Sequence, residues 1–337
     1  MVTQSDIAKM AKVDRTSVSK ILCGAQLEHF SDDIIEKVKS SAAQLGYKHR
    51  HFKNALNIGY LFPVGADEAL DGYTCAERTM AALLGVSNVI GGSKHRLQIV
   101  NIDYSGQAFD FEKVANSADV FIIWELTWGW ADEFYEILKE KKKDFVVINR
   151  VFEDFKGSCI IHESDEVYIQ SAVDIFYERG HSEIAGVFGN VEMSGRLRAM
   201  KKAFNEKGLE HSTRNVFSFQ ERDAEGCRKA AKLIAEGGFS AVFVQSNDMN
   251  ALDLVIELGK LGVRVPDDLS VLSNHKKRSL PSLGLDLSSF VTPWAEMGKR
   301  AAEFLVAGAS RDNCSKRIIH EVLKQKFYEG NTIRRLS

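Results

Sequence analysis

Apolar positions recur with helical spacing through the first 47 residues, and beyond residue 57 they gather into short runs alternating with amphipathic stretches. In the head, Thr3 and Asp6 have capping-box spacing, and Ile7, Ala8, Met10 and Ala11 give a first helix its apolar face. The pattern breaks at Lys12-Val13. Asp14 then caps a second helix, Arg15-Thr16-Ser17-Val18-Ser19-Lys20-Ile21-Leu22, whose Val18, Ile21 and Leu22, with Val13 ahead of them, form a seam toward the first. A third helix is predicted from Ser31 or Asp32 to Leu45, with Ile34, Ile35, Val38, Ala42 and Leu45 inward and Gly46 as its stop. Two short helices around a tight turn, the second opening on small polar and basic side chains, describe a helix-turn-helix.

The pattern after residue 57 predicts parallel sheets covered by helices. Strands are expected at 58–62, 97–100, 119–124 and 145–148, and in a second series at 184–188, 241–244 and 269–272, with a helix between about Cys75 and Ile90. Ligands of such sheets bind beyond the C-terminal strand ends, so residues just after the strands are the candidates.

At 337 residues the chain has room for two or three domains, and 45% hydrophobic with 27% charged residues suits a soluble globular core. No apolar run reaches the roughly 18 residues of a membrane span, and the N-terminus does not read as a secretory signal. The five cysteines, Cys23, Cys75, Cys159, Cys227 and Cys314, are odd in number and widely spaced, which fits reduced thiols in a cytoplasm. The net charge of −2 is unevenly spread: residues 1–53 hold nine Lys/Arg against six Asp/Glu, and the remainder 35 against 40. The small positive excess at one end suits a polyanion partner there.

The run Ser5-Asp6-Ile7-Ala8-Lys9-Met10-Ala11-Lys12-Val13, then Thr16-Ser17-Val18-Ser19-Lys20-Ile21-Leu22 and Gly24, then Leu45-Gly46-Tyr47, resembles the head of the lactose-repressor (LacI/GalR) family. The resemblance implies that Arg15, Thr16 and Lys20 read base edges in the major groove, with Ser5, Ser17 and Ser19 among phosphate and base contacts. Two residues depart from the family: Lys20 stands where Arg is usual, and Cys23 replaces the customary Asn.

The joint, Lys48-His49-Arg50-His51-Phe52-Lys53-Asn54-Ala55-Leu56-Asn57, departs further. The family places a short hinge helix here, with a leucine that wedges into the minor groove. Leu56 has the register of that leucine, but the usual Pro-Asn start and several following residues are missing. Two readings stand: Leu56 inserts and kinks the duplex, or the hinge helix is lost and Lys48, Arg50 and Lys53 hold phosphates. The missing residues favour the second.

The resemblance continues through Gly180-His181, Arg196 with Ala203-Phe204, Ser246-Asn247-Asp248-Met249-Asn250-Ala251 and Gly262-Val263-Arg264-Val265-Pro266-Asp267-Asp268-Leu269-Ser270-Val271. The organisation it implies is an all-α helix-turn-helix head at 1–47, a shortened hinge at 48–57 and an α/β periplasmic-binding-protein-like core at 58–337. That core has two Rossmann-like subdomains, about 58–150 with 292–320 and about 151–291 with 321–337. Three crossovers fall near 149–152, 289–293 and 319–322. Carried over by position, Arg150, Arg196 and Asn247 face an effector. Each has a plainer alternative: Arg150 pins a crossover, Arg196 decorates a basic helix with Arg198, Lys201 and Lys202, and Asn247-Asp248 cap the next helix. His275 follows Ser273-Asn274 where the family has an acid that commonly binds effector. Among Trp124, Trp128, Trp130 and Trp294, Trp124 and Trp128 are the candidates to stack on a sugar ring, with core or dimer packing as the alternative.

The function these readings imply is a transcriptional regulator that binds a pseudo-palindromic double-stranded DNA operator as a homodimer, under control of a small carbohydrate-related effector. The alternative is a sugar-binding sensor with weakened DNA binding. No nucleophile elbow, P-loop, metal-ligand cluster or compelling acid pair argues for an enzyme, and no cofactor, metal or membrane partner is implied. The expected location is the cytoplasm, on the nucleoid when DNA is bound.

Overall fold

The computed structural model describes residues 3–22, 29–45, 47, 55–64, 73–103, 110–124, 131–149, 157–189, 193–219, 223–245, 248–274, 284–308 and 318–336. The head contains α1 (Gln4–Ala11), α2 (Arg15–Leu22) and α3 (Asp32–Gln44). Ile7, Ala8, Ala11, Val18, Ile21, Val38 and Ala42 form a small buried core of their own, with Leu45 and Tyr47 packed on its margin. Met10, read as part of the apolar face, is instead exposed. It lies one helical step beyond the seam that Ile7 and Ala11 fill.

Among the described residues, two six-stranded sheets follow. The first joins β1 (Asn57–Val64), β2 (Arg96–Asp103), β3 (Val120–Trp124), β4 (Phe145–Ile148), β5 (Ser158–His162) and β11 (His320–Leu323), in the order β11-β5-β4-β3-β1-β2. Its faces are covered by α4 (Tyr73–Ile90), α5 (Phe111–Ala115), α6 (Ala131–Glu140) and α11 (Trp294–Gly308). The second sheet joins β6 (Ile184–Phe188), β7 (Val216–Ser218), β8 (Ala241–Gln245), β9 (Ser270–Asn274), β10 (Ser288–Val291) and β12 (Lys326–Tyr328), in the order β12-β10-β9-β8-β6-β7. It carries α7 (Asp165–Glu178), α8 (Met193–Lys207), α9 (Ala224–Glu236) and α10 (Asp248–Lys260).

The central strands are buried on both faces, which explains their continuous apolar runs. Tyr60, Ile122, Val146 and Ile160 face one core, and Leu61, Phe121, Ile123 and Val147 the other. The second sheet repeats this with Phe188, Phe243 and Leu272 on one face and Val187, Val242, Val244 and Val271 on the other. Among the described residues, no helix is long and apolar enough to cross a membrane.

The crossovers differ from expectation. The chain does not leave the first sheet near 149–152: Asn149 donates its backbone N–H to the Ile160 carbonyl at 2.8 Å, and β5 pairs in parallel with β4. The first crossover therefore lies between β5 and α7, at Glu163 and Ser164. Likewise β11 pairs with β5 in the first sheet, so the third crossover falls after Leu323, at Lys324 and Gln325. The subdomain boundaries move from 150/151 and 320/321 to these points. The second connection runs between β10, which ends at Val291, and α11, which starts at Trp294. The strands missing from the sequence reading lie at crossovers or sheet edges, where they are short and partly polar: β5, β7, β10, β11 and β12.

Candidate functional site

At the head, Thr3 Oγ1 accepts from the Asp6 N–H while Asp6 accepts from the Thr3 N–H at 2.8 Å, completing the capping box of α1. Asp14 performs the equivalent service for α2: one carboxylate oxygen accepts from the Ser17 N–H at 2.8 Å and the other from the Ser17 hydroxyl at 2.5 Å. These bonds hold the Asp14 carboxyl below the usual carboxylate range. They also commit the Ser17 hydroxyl to the cap. With Val18 and Ile21 turned inward, Arg15, Thr16 and Lys20 are left exposed on the opposite side of α2, Ser19 is half-buried, and Ser5 is exposed on α1. A helix presenting Arg, Thr and Lys from its first two turns offers donors to guanine edges and phosphates.

Lys48, Arg50 and Lys53 lie outside the described residues. Leu56 lies within them, and its setting corrects the wedge reading. The side chain packs against the first buried core, the N–H donates to His95 Nδ1 at 3.0 Å, and the carbonyl accepts from the Arg96 N–H at 2.8 Å. Leu56 thus leads directly into β1, in register beside β2. A residue held by packing and by both of its backbone groups is not extended toward a groove.

In the core, Trp128, Arg150, Asn247 and His275 lie outside the described residues. Trp124 ends β3 as expected but is only 4% exposed, with its ring 5.4 Å from that of Trp294 at an interplanar angle of 55°. It is a core residue, because the last residue of a strand buried on both faces still points into a helix layer. The more open aromatic is Trp294, which starts α11 just after the second crossover and carries the Arg78 guanidinium 5.6 Å from its ring.

Arg196 is not a surface ornament of α8. Its side chain is 16% exposed, and Nε donates to Asp165 Oδ2 at 2.7 Å. The other Asp165 oxygen accepts from Gln245 Nε2 at 2.6 Å, and Gln245 Oε1 accepts from Asn274 Nδ2 at 3.1 Å. Gln245 and Asn274 are the last residues of β8 and β9, so this line runs along the C-terminal ends of the second sheet. Gln325 then joins all three crossovers. Its backbone N–H donates to Glu163 at 2.9 Å, and its side-chain amide donates to Thr292 Oγ1 at 2.8 Å and approaches Asn274 Oδ1 at 3.5 Å.

Sequence reading found Arg196 and missed Asp165, Gln245, Asn274, Thr292 and Gln325. The signal for two of these was present: Gln245 and Asn274 are polar residues closing apolar strands, and both are at least 97% buried. A buried amide without an apolar reason to be there is a marker of a polar network. Asp165, Thr292 and Gln325 carried no such signal, because only the crossover geometry brings them together. The assembled arrangement is a line of fixed donors and acceptors at the strand ends, beside a depression edged by Asp165, Glu166, Arg196, Arg198 and Lys202. Arg and Asp side by side can hold a hydroxylated molecule through complementary hydrogen bonds.

Residues 173–326 match a family described as a periplasmic binding protein-like domain. Over 323 residues the chain is 26% identical to a protein of Bacillus subtilis (strain 168) named probable HTH-type transcriptional repressor ExuR, covering 92% of this chain and 90% of that one. Two solved structures share the fold along its length. One is a lac repressor dimer bound to operator and the anti-inducer ONPF, with TM-score 0.64, 17% identity and 99% of each chain covered. The other is a complex of the transcriptional regulator CelR with cellobiose, with TM-score 0.62, 18% identity, and 98% of this chain and all of that one covered.

Proposed function

We propose that the chain is a helix-turn-helix transcriptional regulator of the lactose-repressor (LacI/GalR) family, and that it represses transcription under the control of a small molecule bound in its core. In this reading two heads of a homodimer bind a pseudo-palindromic operator in the cytoplasm, and a sugar or sugar derivative binds between the two sheets. The observation that carries it is the face of α2, where Arg15, Thr16 and Lys20 project from a head with its own core. The relatives support both halves: one solved neighbour is bound to operator as a dimer, and another holds cellobiose. Ser5 and Ser19, with Lys48, Arg50 and Lys53 from the joint, supply the remaining DNA contacts. Trp128, Arg150, Arg196, Asn247 and His275 face the effector, with Trp294 rather than the buried Trp124 stacking on it.

The ligand acts only if it binds the two arrangements of the sheets with different affinity. The three crossovers tied by Gln325 are the place where that difference is expressed. A fluorescence-anisotropy titration against the DNA upstream of the chain's own gene tests the DNA half. Saturable binding that survives competition by scrambled DNA supports the reading. Binding indifferent to sequence at low salt sinks it.

That second outcome would favour a sensor with weakened DNA binding. One observation gives this alternative substance: Leu56 is built into the core, so the joint offers no leucine wedge at this position.

A further inference from the structure

The ion pair between Asp165 and Arg196 is held in place by more than its two partners. Pairs of exposed, mobile side chains contribute little, but here one carboxylate oxygen is anchored on the amide of Gln245, which is 1% exposed. Gln245 is in turn held by Asn274, whose carbonyl oxygen faces the Gln325 amide bonded to Thr292. Asp165 is therefore a fixed partner of Arg196, set by the strand ends behind it. It takes the Nε position of the guanidinium, which among the described residues leaves the terminal amino groups of the fork for a ligand. In the same depression Lys202 is answered by Glu166 at 2.7 Å. Two of the three cations around the depression, Arg196 and Lys202, are thus neutralised from within the protein.

We infer that Asp165 is the specificity-determining residue for ligand charge: the Asp165–Arg196 pair admits a neutral vicinal diol and rejects an acid. One hydroxyl of a diol donates to the carboxylate while its neighbour accepts from a terminal N–H of the guanidinium, so both protein groups stay satisfied. A ligand carboxylate or phosphate has no hydrogen to give to Asp165 and brings a second negative charge against it. This rests on the proposal that the core binds a sugar-like effector and specifies which chemical class.

Isothermal titration of the full-length protein with three matched pairs tests it: D-glucose and D-glucuronate, D-galactose and D-galacturonate, D-ribose and D-ribonate. Wild type binds the neutral member of at least one pair about tenfold or more tighter than its acid, the scale of one unfavourable like-charge contact. Asp165→Asn moves that ratio about tenfold toward the acid, and Asp165→Glu restores its sign. A merely structural role would weaken both members alike and leave the ratio unmoved. Asp165→Ser, which removes the charge and keeps a hydroxyl, shifts the ratio in the same direction and decides the matter if Asp165→Asn does not fold. An acid preferred by wild type, or a ratio unmoved in the folded variants, overturns the inference alone. Failure of all six compounds to bind overturns the sugar-effector proposal and the inference with it.

Discussion

The side-chain amide of Gln325 donates to the Thr292 hydroxyl at 2.8 Å, so the third crossover between the two sheets is bonded to the second. The backbone N–H of the same residue donates to Glu163 on the first. A single residue thus ties all three connections, its side chain holding the second and its backbone, which Gln325→Ala leaves in place, holding the first. Gln325→Ala is expected to raise amide hydrogen exchange at the crossovers and to cost about 1–2 kcal/mol of stability, the range for one or two lost hydrogen bonds. The α-helical head, with its separate core, should exchange as before. Uniform exchange across the chain would show that the crossovers are held by other contacts.

Helices α4 and α11 approach so closely that a Cβ built on Gly298 would lie 1.9 Å from the Ala82 carbonyl oxygen, and one on Gly85 1.8 Å from that of Ala295. Backbone stands on the far side in both cases, so neither contact can be relieved by a rotamer change. Gly298→Ala should lower stability by about 1–3 kcal/mol through overpacking, read as a lower denaturant midpoint. An unchanged midpoint would mean that the two helices can separate without loss.

Lys20 is exposed on the outer side of α2. Lys20→Ala should cost about 1–3 kcal/mol on the cognate operator and relax preference at one base position in each half-site. Equal loss on every sequence tested would make Lys20 a phosphate contact.

Leu56 separates the two readings of the joint. Its packing against the first core predicts that Leu56→Ala lowers stability by about 1–3 kcal/mol, while the DNA bend measured by energy transfer between end labels stays the same. A reduced bend with unchanged stability would restore the minor-groove wedge.

His181 gives the second sheet a pH dependence. Its ring is 1% exposed, with Nδ1 2.9 Å from the Ser240 hydroxyl and Nε2 3.1 Å from the Arg334 carbonyl oxygen. Burial lowers its pKa, although the Arg334 carbonyl opposes the shift. The unfolded chain therefore binds the proton more readily, and stability falls as pH drops below about 6.5, the ordinary value for histidine. His181→Gln should flatten that part of a urea-midpoint profile between pH 7 and pH 5. A variant profile parallel to wild type would remove His181 as the cause.

The sequence by itself determined the elements whose cause is local. Asp14 followed by Ser17, with Val18 and Ile21 at helical spacing, specifies a capped helix and its buried side before any tertiary contact is known. The apolar runs of the central strands likewise announce a sheet covered on both faces, because a strand buried twice has no polar side to show. The polar residues that close two of those strands, Gln245 and Asn274, are equally local signals of a buried polar network.

Only the tertiary structure decided what depends on register and return. Trp124 was legible as a strand end, yet its direction into the core follows from the helix that brings Trp294 against it. Leu56 kept a family register in the sequence and lost the matching role in space, because His95 and Arg96 hold its backbone beside β2. The line from Arg196 to Asp165, Gln245, Asn274, Gln325 and Thr292, with Glu163 bonded to Gln325, joins residues up to 162 positions apart, as Gln325 and Glu163 are. No local pattern can encode such a line: it exists only once three crossovers converge on the ends of one sheet.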